Sequence, residues 1–169
     1  AWTSLPKADD LEAFAAQHDQ VGRGYVIGGS AWDLTNERRV ARDQLDLLVI
    51  DEAGQFSVAK TLAVGVCARR LLLLGDPQQL PQVSTGVHAQ PVDESALGWL
   101  AAGETVLPAH LGYFLETTRR MHPDLTTVVS DLAYDGALTS YEQVTAARRV
   151  DGIRPGLHVV VVDHLDNST

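Results

Sequence analysis

Three short blocks carry residue types suited to phosphate chemistry. The first is Asp51-Glu52-Ala53-Gly54-Gln55, which follows an apolar run. An Asp at the end of a strand can hold Mg2+ on a nucleotide, because this hard cation takes oxygen ligands. The Glu beside it can polarise a water for attack on a γ-phosphate. The competing reading is that Asp51 or Glu52 caps the helix that follows. The second block is Gly75-Asp76-Pro77-Gln78-Gln79-Leu80-Pro81-Gln82. Taken alone it is a turn built on Asp-Pro. Placed beside the first block, Gln78 or Gln79 could sense a terminal phosphate with a neutral amide. The third is Arg119-Arg120-Met121-His122-Pro123. It is either a surface Arg pair before a proline-started helix, or a source of positive charge for a transferring phosphoryl group.

The elements around these blocks place the first two on one edge. Leu45, Leu47, Leu48, Val49 and Ile50 form a nearly continuous apolar run, the pattern of a strand buried on both faces of a parallel sheet. Phe56, Ala59, Leu62, Ala63 and Val66 recur at helical spacing, with Arg69 and Arg70 expected at the carboxyl end. Leu71 to Leu74 is a second apolar strand ending in Gly75-Asp76. Strand, helix, strand over so short a span is a βαβ unit with parallel strands, so both blocks fall on the carboxyl edge where α/β sheets bind ligands. Further elements are expected as follows: a helix over 9–18, a strand at Tyr25 to Ile27, and a loop over 33–44. Beyond these come a short helix at 95–101, a short strand at 104–107, a helix over 124–134 and a strand at 158–162.

Composition bounds the rest. The chain has 169 residues, 45% apolar and 21% charged, ordinary for a globular protein and enough for a sizeable core. Neither Leu71 to Leu74 nor Val159 to Val162 could span a bilayer, and Ala1-Trp2-Thr3-Ser4 has no features of a secretion signal. The lack of an initiator Met fits either a piece of something larger or simple trimming. Cys67, the single cysteine, excludes an internal disulfide and reads as a small buried side chain in a cytoplasmic protein with no membrane role. A net charge of −9 does not advertise nucleic-acid binding, although binding needs only a local basic surface.

Taken in order, the three blocks resemble motifs II, III and IV of superfamily 1 helicases. The nearest branch has a Walker B of Asp-Glu-Ala-x-Gln and a fourth motif of Arg-Met-His-Pro. The run from Leu45 to Leu100 looks closest to the helicase half of bacterial RecB-like nuclease–helicase proteins. The resemblance spans roughly residues 22 to 135. It implies an α/β chain, a partial RecA-like P-loop NTPase fold with a mostly parallel sheet. Residues 1–107 would be the carboxyl part of a first RecA-like domain, and 108–169 a linker and the start of a second. It implies ATP and Mg2+ as cofactors, with Asp51 on the metal and Glu52 as catalytic residue. Gln55 would lie on the nucleotide, Gln79 would sense the γ-phosphate, and Arg120 would reach that phosphate. Ser30, in Gly28-Gly29-Ser30-Ala31-Trp32, would touch the nucleic-acid backbone. The partners would be DNA or RNA in single-stranded form, and the remainder of the parent helicase chain. Trp32 and Trp99 could stack on bases, although a buried core Trp is the commoner case.

The phosphate-binding loop and the family's last motifs, which include a second Arg for the γ-phosphate, are missing. No Gly-x-x-x-x-Gly-Lys-Ser/Thr run occurs, and the two lysines, Lys7 and Lys60, stand in other contexts. The expectation is therefore a piece of an ATP-dependent helicase or translocase that is itself inactive. Two rivals remain: a scaffold derived from an ATPase core that binds a nucleotide or partner without catalysis, and a metal hydrolase using Asp51, Glu52, Asp76 and His122.

Overall fold

A computed structural model describes residues 8–79, 92 and 94–162. The chain divides into two compact units, Ala1–Gly103 and Glu104–Thr169.

The first unit opens with helix α1 (Ala8–Gln20), as the spacing of Leu11, Phe14 and Ala15 predicts. Phe14, His18 and Tyr25 pack ring against ring beside it, with Phe14 and Tyr25 edge to face at 5.6 Å. The strand expected at Tyr25 to Ile27 does not form: these residues pair with no strand among the described residues, and Val26 is almost fully exposed. Part of the expected 33–44 loop is instead helical, as α2 (Ala31–Thr35). Ser30 starts it through a capping box with Asp33.

Strand β1 (Leu48–Ile50) pairs in parallel with β2 (Leu71–Leu73), with Leu48 opposite Leu71 and Ile50 opposite Leu73. Helix α3 (Val58–Gly65) lies between them in sequence, so the predicted βαβ unit is present. Ser57 caps α3 by accepting from the Lys60 N–H. The helix stops at Gly65, short of Arg69 and Arg70, which instead turn the chain into β2 and contact Asp46. Leu45 extends the parallel pairing as a bridge to Ala68.

Burial on both faces does not occur. Leu48 and Ile50 point into the core, but Val49 is 49% exposed, and Leu71 and Leu72 are also exposed. Only two strands pair here among the described residues, and so small a sheet covers one face. The core beneath combines Leu11, Val40, Leu48, Ile50, Val64 and Leu97. Helix α4 (Ala96–Ala101), capped by Ser95, contributes Ala96 and Leu97, as the sequence leads one to expect. Cys67 is buried, and loss of hydration there pushes its thiol pKa up.

The second unit is built differently. The expected strand at 104–107 is absent, and the segment is bends and turns. Two short strands not anticipated from the sequence, β3 (Thr117–Thr118) and β4 (Thr139–Ser140), pair in parallel. Helix α5 (Pro123–Ala133) lies between them. It begins with Pro at its first position, where the lost N–H costs nothing, and His122 Nδ1 caps it by accepting from Asp124 N–H. A short helix α6 (Glu142–Thr145) follows β4. Residues 158–162 do not form a strand with any described partner, and all four valines there are exposed. No described helix is long and apolar enough to cross a membrane.

Candidate functional site

The carboxyl ends of β1 and β2 carry the first two blocks, and backbone contacts lock them together. Beyond Ile50 the chain passes through Asp51 and makes a left-handed turn at Glu52, with φ 55° and ψ 41°. That conformation costs a side-chain-bearing residue roughly 1–2 kcal/mol. The turn is held by Ala53 N–H donating to Leu74 O at 2.8 Å, and by Gln55 N–H donating to Glu52 O at 2.8 Å. Ala53 is thereby buried completely, while Asp51, Glu52 and Gln55 stay exposed.

Two glycines make the close approach possible. A Cβ on Gly75 would lie 2.8 Å from Ala53 N and 3.0 Å from Gly54 N. A Cβ on Gly54 would collide with the Asp76 carbonyl oxygen. The Glu52–Gln55 and Gly75–Gln79 segments therefore touch backbone to backbone, with no side chain between them. In the second segment, Asp76 Oδ1 accepts from Gln78 N–H at 2.9 Å, and Asp76 O accepts from Gln79 N–H at 3.3 Å. Gln79 is exposed. Leu80, Pro81 and Gln82, the rest of the second block, lie outside the described residues.

Capping does not account for the acidic pair. Glu52 stands at the start of the short 3-10 turn Ala53–Gln55 without a capping bond from its side chain, and α3 is capped by Ser57 instead. Asp51 Oδ1 accepts from the Glu52 N–H at 3.0 Å, a bond local to the turn.

Arg120 belongs to the second unit, where the arginine pair is sorted. Arg119 lays its guanidinium over the Tyr141 ring, 4.1 Å from the centroid. Arg120 is fixed through its backbone, its N–H donating to Thr118 Oγ1 at 3.2 Å, and its side chain is exposed. The next carbonyl, that of Met121, accepts from Ser140 Oγ at 2.9 Å. Sequence reasoning missed this support because β4 is only two residues long and has no apolar pattern.

Ser30 is drawn into the α2 cap: its hydroxyl donates to Asp33 Oδ2 at 2.6 Å, and its backbone N–H donates to the same oxygen at 2.9 Å. Arg39 completes the group by pairing with Asp33. Asp33 is held below the usual carboxylate range, first by the Ser30 hydroxyl, then by the Ser30 N–H and Arg39. Trp32 and Trp99 are both exposed, contrary to the commoner buried case. Among the described residues, no group of three or more His, Cys, Asp or Glu side chains is placed to hold a metal ion. The set proposed for a metal hydrolase is thus not gathered into such a cluster.

Residues 32–85 match the family described as an AAA domain. The chain is 30% identical over 96 residues to the 5'-3' DNA helicase ZGRF1 of Mus musculus, covering 56% of this chain and 5% of that protein. It is also 30% identical over 102 residues to the probable helicase MAGATAMA 3 of Arabidopsis thaliana, covering 60% of this chain and 12% of that protein. The chain thus spans only a small part of the curated relatives it matches. The matches support a helicase-type family. Together with the parallel β1–β2 pair they make the fold a partial RecA-like one of the α/β class.

Proposed function

We propose that this chain is part of an ATP-dependent helicase or translocase of superfamily 1, and that the carboxyl edge of β1 and β2 is the middle of its ATP site. The observation that carries the reading is the backbone interlock of Glu52–Gln55 with Gly75–Gln79. It brings two acidic residues and two Gln to one sheet edge in an arrangement that costs conformational strain and that no capping role explains.

Each residue has a definite task. Asp51 is exposed and uses one oxygen on a neighbouring N–H, which suits a single carboxylate ligand to Mg2+ whose other ligands are water and phosphate. Bound there, the metal would supply charge neutralisation of the phosphates. Glu52, turned out of the strand direction by its left-handed backbone, is the general base that orients and deprotonates the attacking water. Gln55 and Gln79 offer amide groups to the nucleotide, and Gln79 reports the presence of the terminal phosphate. Because the two segments share backbone contacts, displacing Gln79 also displaces Glu52. Arg120 supplies the guanidinium for the transferring phosphoryl group. Ser30 and the exposed Trp32 are the residues proposed for nucleic acid, DNA or RNA, in single-stranded form. The names of the two relatives support nucleic acid as the partner class. The likeness to RecB-like nuclease–helicase proteins rests on the residues from Leu45 to Leu100.

The decisive measurement is Mg2+-dependent ATP turnover by the full-length protein, with and without single-stranded nucleic acid. Glu52→Gln should lower kcat by at least about 10²-fold, the range of a lost general base, and leave nucleotide binding in place. Turnover unchanged in Glu52→Gln would overturn the reading. Partner binding indifferent to ATP and magnesium, in a protein without turnover, would establish the scaffold instead. The 169-residue chain alone should turn over little ATP, since it contains no phosphate-binding Gly-x-x-x-x-Gly-Lys-Ser/Thr run.

A further inference from the structure

The adjacent guanidiniums of Arg119 and Arg120 would compete for one phosphate if both were presented alike. The second unit does not present them alike. Arg119 is stacked on Tyr141 at 4.1 Å, and its carbonyl accepts from Arg148 Nη2 at 3.4 Å. Tyr141 is itself tied to β3, its N–H donating to Thr118 O at 2.9 Å. On the other side of Arg120, the Met121 carbonyl is held by Ser140. Residues 118 to 121 are thus fastened on both sides of Arg120, while Arg120 itself uses only its backbone.

We infer that Tyr141 is a positioning residue for Arg120: its ring takes Arg119 out of contention, so that the pair presents one guanidinium in one place. The inference rests on the proposed role of Arg120, but the sorting of the pair can be read without any ATP. A planar guanidinium over an aromatic face is attracted to the ring's negative quadrupole, which Phe supplies nearly as well as Tyr and Leu does not supply at all. The backbone bonds of residue 141 do not involve its side chain, so Tyr141→Leu leaves the start of α6 intact.

The test is carried out on the full-length protein. Phenylglyoxal labelling, mapped by mass spectrometry, should modify Arg120 roughly two- to fivefold faster than Arg119, the ratio an exposed cation–π contact provides. Tyr141→Leu should bring the two rates together, and Tyr141→Phe should keep them apart. In turnover, Tyr141→Leu should lower kcat about tenfold with a smaller change in KM for ATP, as expected of a misplaced catalytic group. Tyr141→Phe should restore kcat. If Tyr141→Leu fails to fold, Arg119→Ala serves instead: it removes the competing guanidinium outright, so kcat should stay near the native value, and a tenfold fall would overturn the inference. Equal labelling of the two arginines in the native protein would overturn the inference. So would a kcat indifferent to Tyr141→Leu in a protein that Arg120→Ala inactivates. Sorted labelling with full turnover in Arg120→Ala would instead remove the catalytic reading of Arg120 and leave the positioning intact.

Discussion

Among the described residues, the least exposed side chains of the unit Ala1–Gly103 include Ala53, Val64, Leu11 and Cys67, whereas those of Glu104–Thr169 are Thr126, Ser130 and Thr145. The first unit excludes water with carbon. The second buries hydroxyls, each of which has a partner: Thr126 Oγ1 donates to His122 O at 3.0 Å, Ser130 Oγ accepts from Leu138 N–H at 2.9 Å, and Thr145 Oγ1 donates to Tyr141 O at 3.0 Å. Among the described residues the first unit also buries one hydroxyl, that of Thr61, but this one has no partner. Apolar burial is non-directional and supplies stability; hydrogen bonds are directional and fix where backbone groups lie. The difference assigns stability mainly to the first unit, and to the second a directional network that sets the position of the Arg119–His122 segment.

The comparison can be broken at several points. Ile50→Ala in the first core should cost roughly 3 kcal/mol, through lost transfer energy and the cavity left behind. Hydrogen exchange resolved by unit would show the loss in residues 40–70. A cost below about 1 kcal/mol would mean that the exposed face of β1 and β2 makes this core as loose as the second.

A matched pair sharpens the contrast. Thr145→Val keeps volume and removes a satisfied hydroxyl, so it should cost about 1–2 kcal/mol and loosen residues 139–145. Thr61→Val removes an unsatisfied one, so it should be neutral or stabilise by about 1 kcal/mol. The same substitution would then have opposite signs in the two units. Equal signs in thermal denaturation would end the distinction.

The smallest effect is local to α2. Asp33 has a depressed pKa in the folded protein, so its contribution to stability is present above the ordinary Asp range and is lost as pH falls through the folded value. Carboxyl resonances followed by NMR should show Asp33 titrating below the ordinary Asp range. Ser30→Ala should move it back toward the ordinary Asp range, because the Ser30 hydroxyl is the largest cause of the shift, while the residue 30 N–H and Arg39 still hold it down.

These contrasts also explain what could be read from the residues alone. The βαβ unit, α1, α4 and α5 were legible because apolar periodicity and capping residues are local signals. The placement of the first two blocks on one edge followed from parallel pairing, and Cys67 was recognisable as a buried thiol from its apolar neighbours. β3 and β4 were not legible: Thr117–Thr118 and Thr139–Ser140 have no apolar alternation, and their bonds depend on partners about 22 residues away. Tyr25 to Ile27 and residues 158–162 failed for the opposite reason. Their composition suits a strand, but a strand exists only beside another. The sorting of Arg119 from Arg120 was beyond the sequence, since it depends on a ring brought in by β4.

The left-handed backbone at Glu52 has a consequence for anyone redesigning this protein. A procedure that gives each position the residue its backbone favours would replace Glu52 with Gly or Asn, which adopt φ near 55° with less strain. On the reading proposed here, the resulting chain would be as durable as the original, or more so, and would no longer work. Positions where durability and the natural residue disagree can be found by such a procedure without any assay; in this chain Glu52 is one of them, beside Asp43, Ala102 and Asp135 in the same left-handed region.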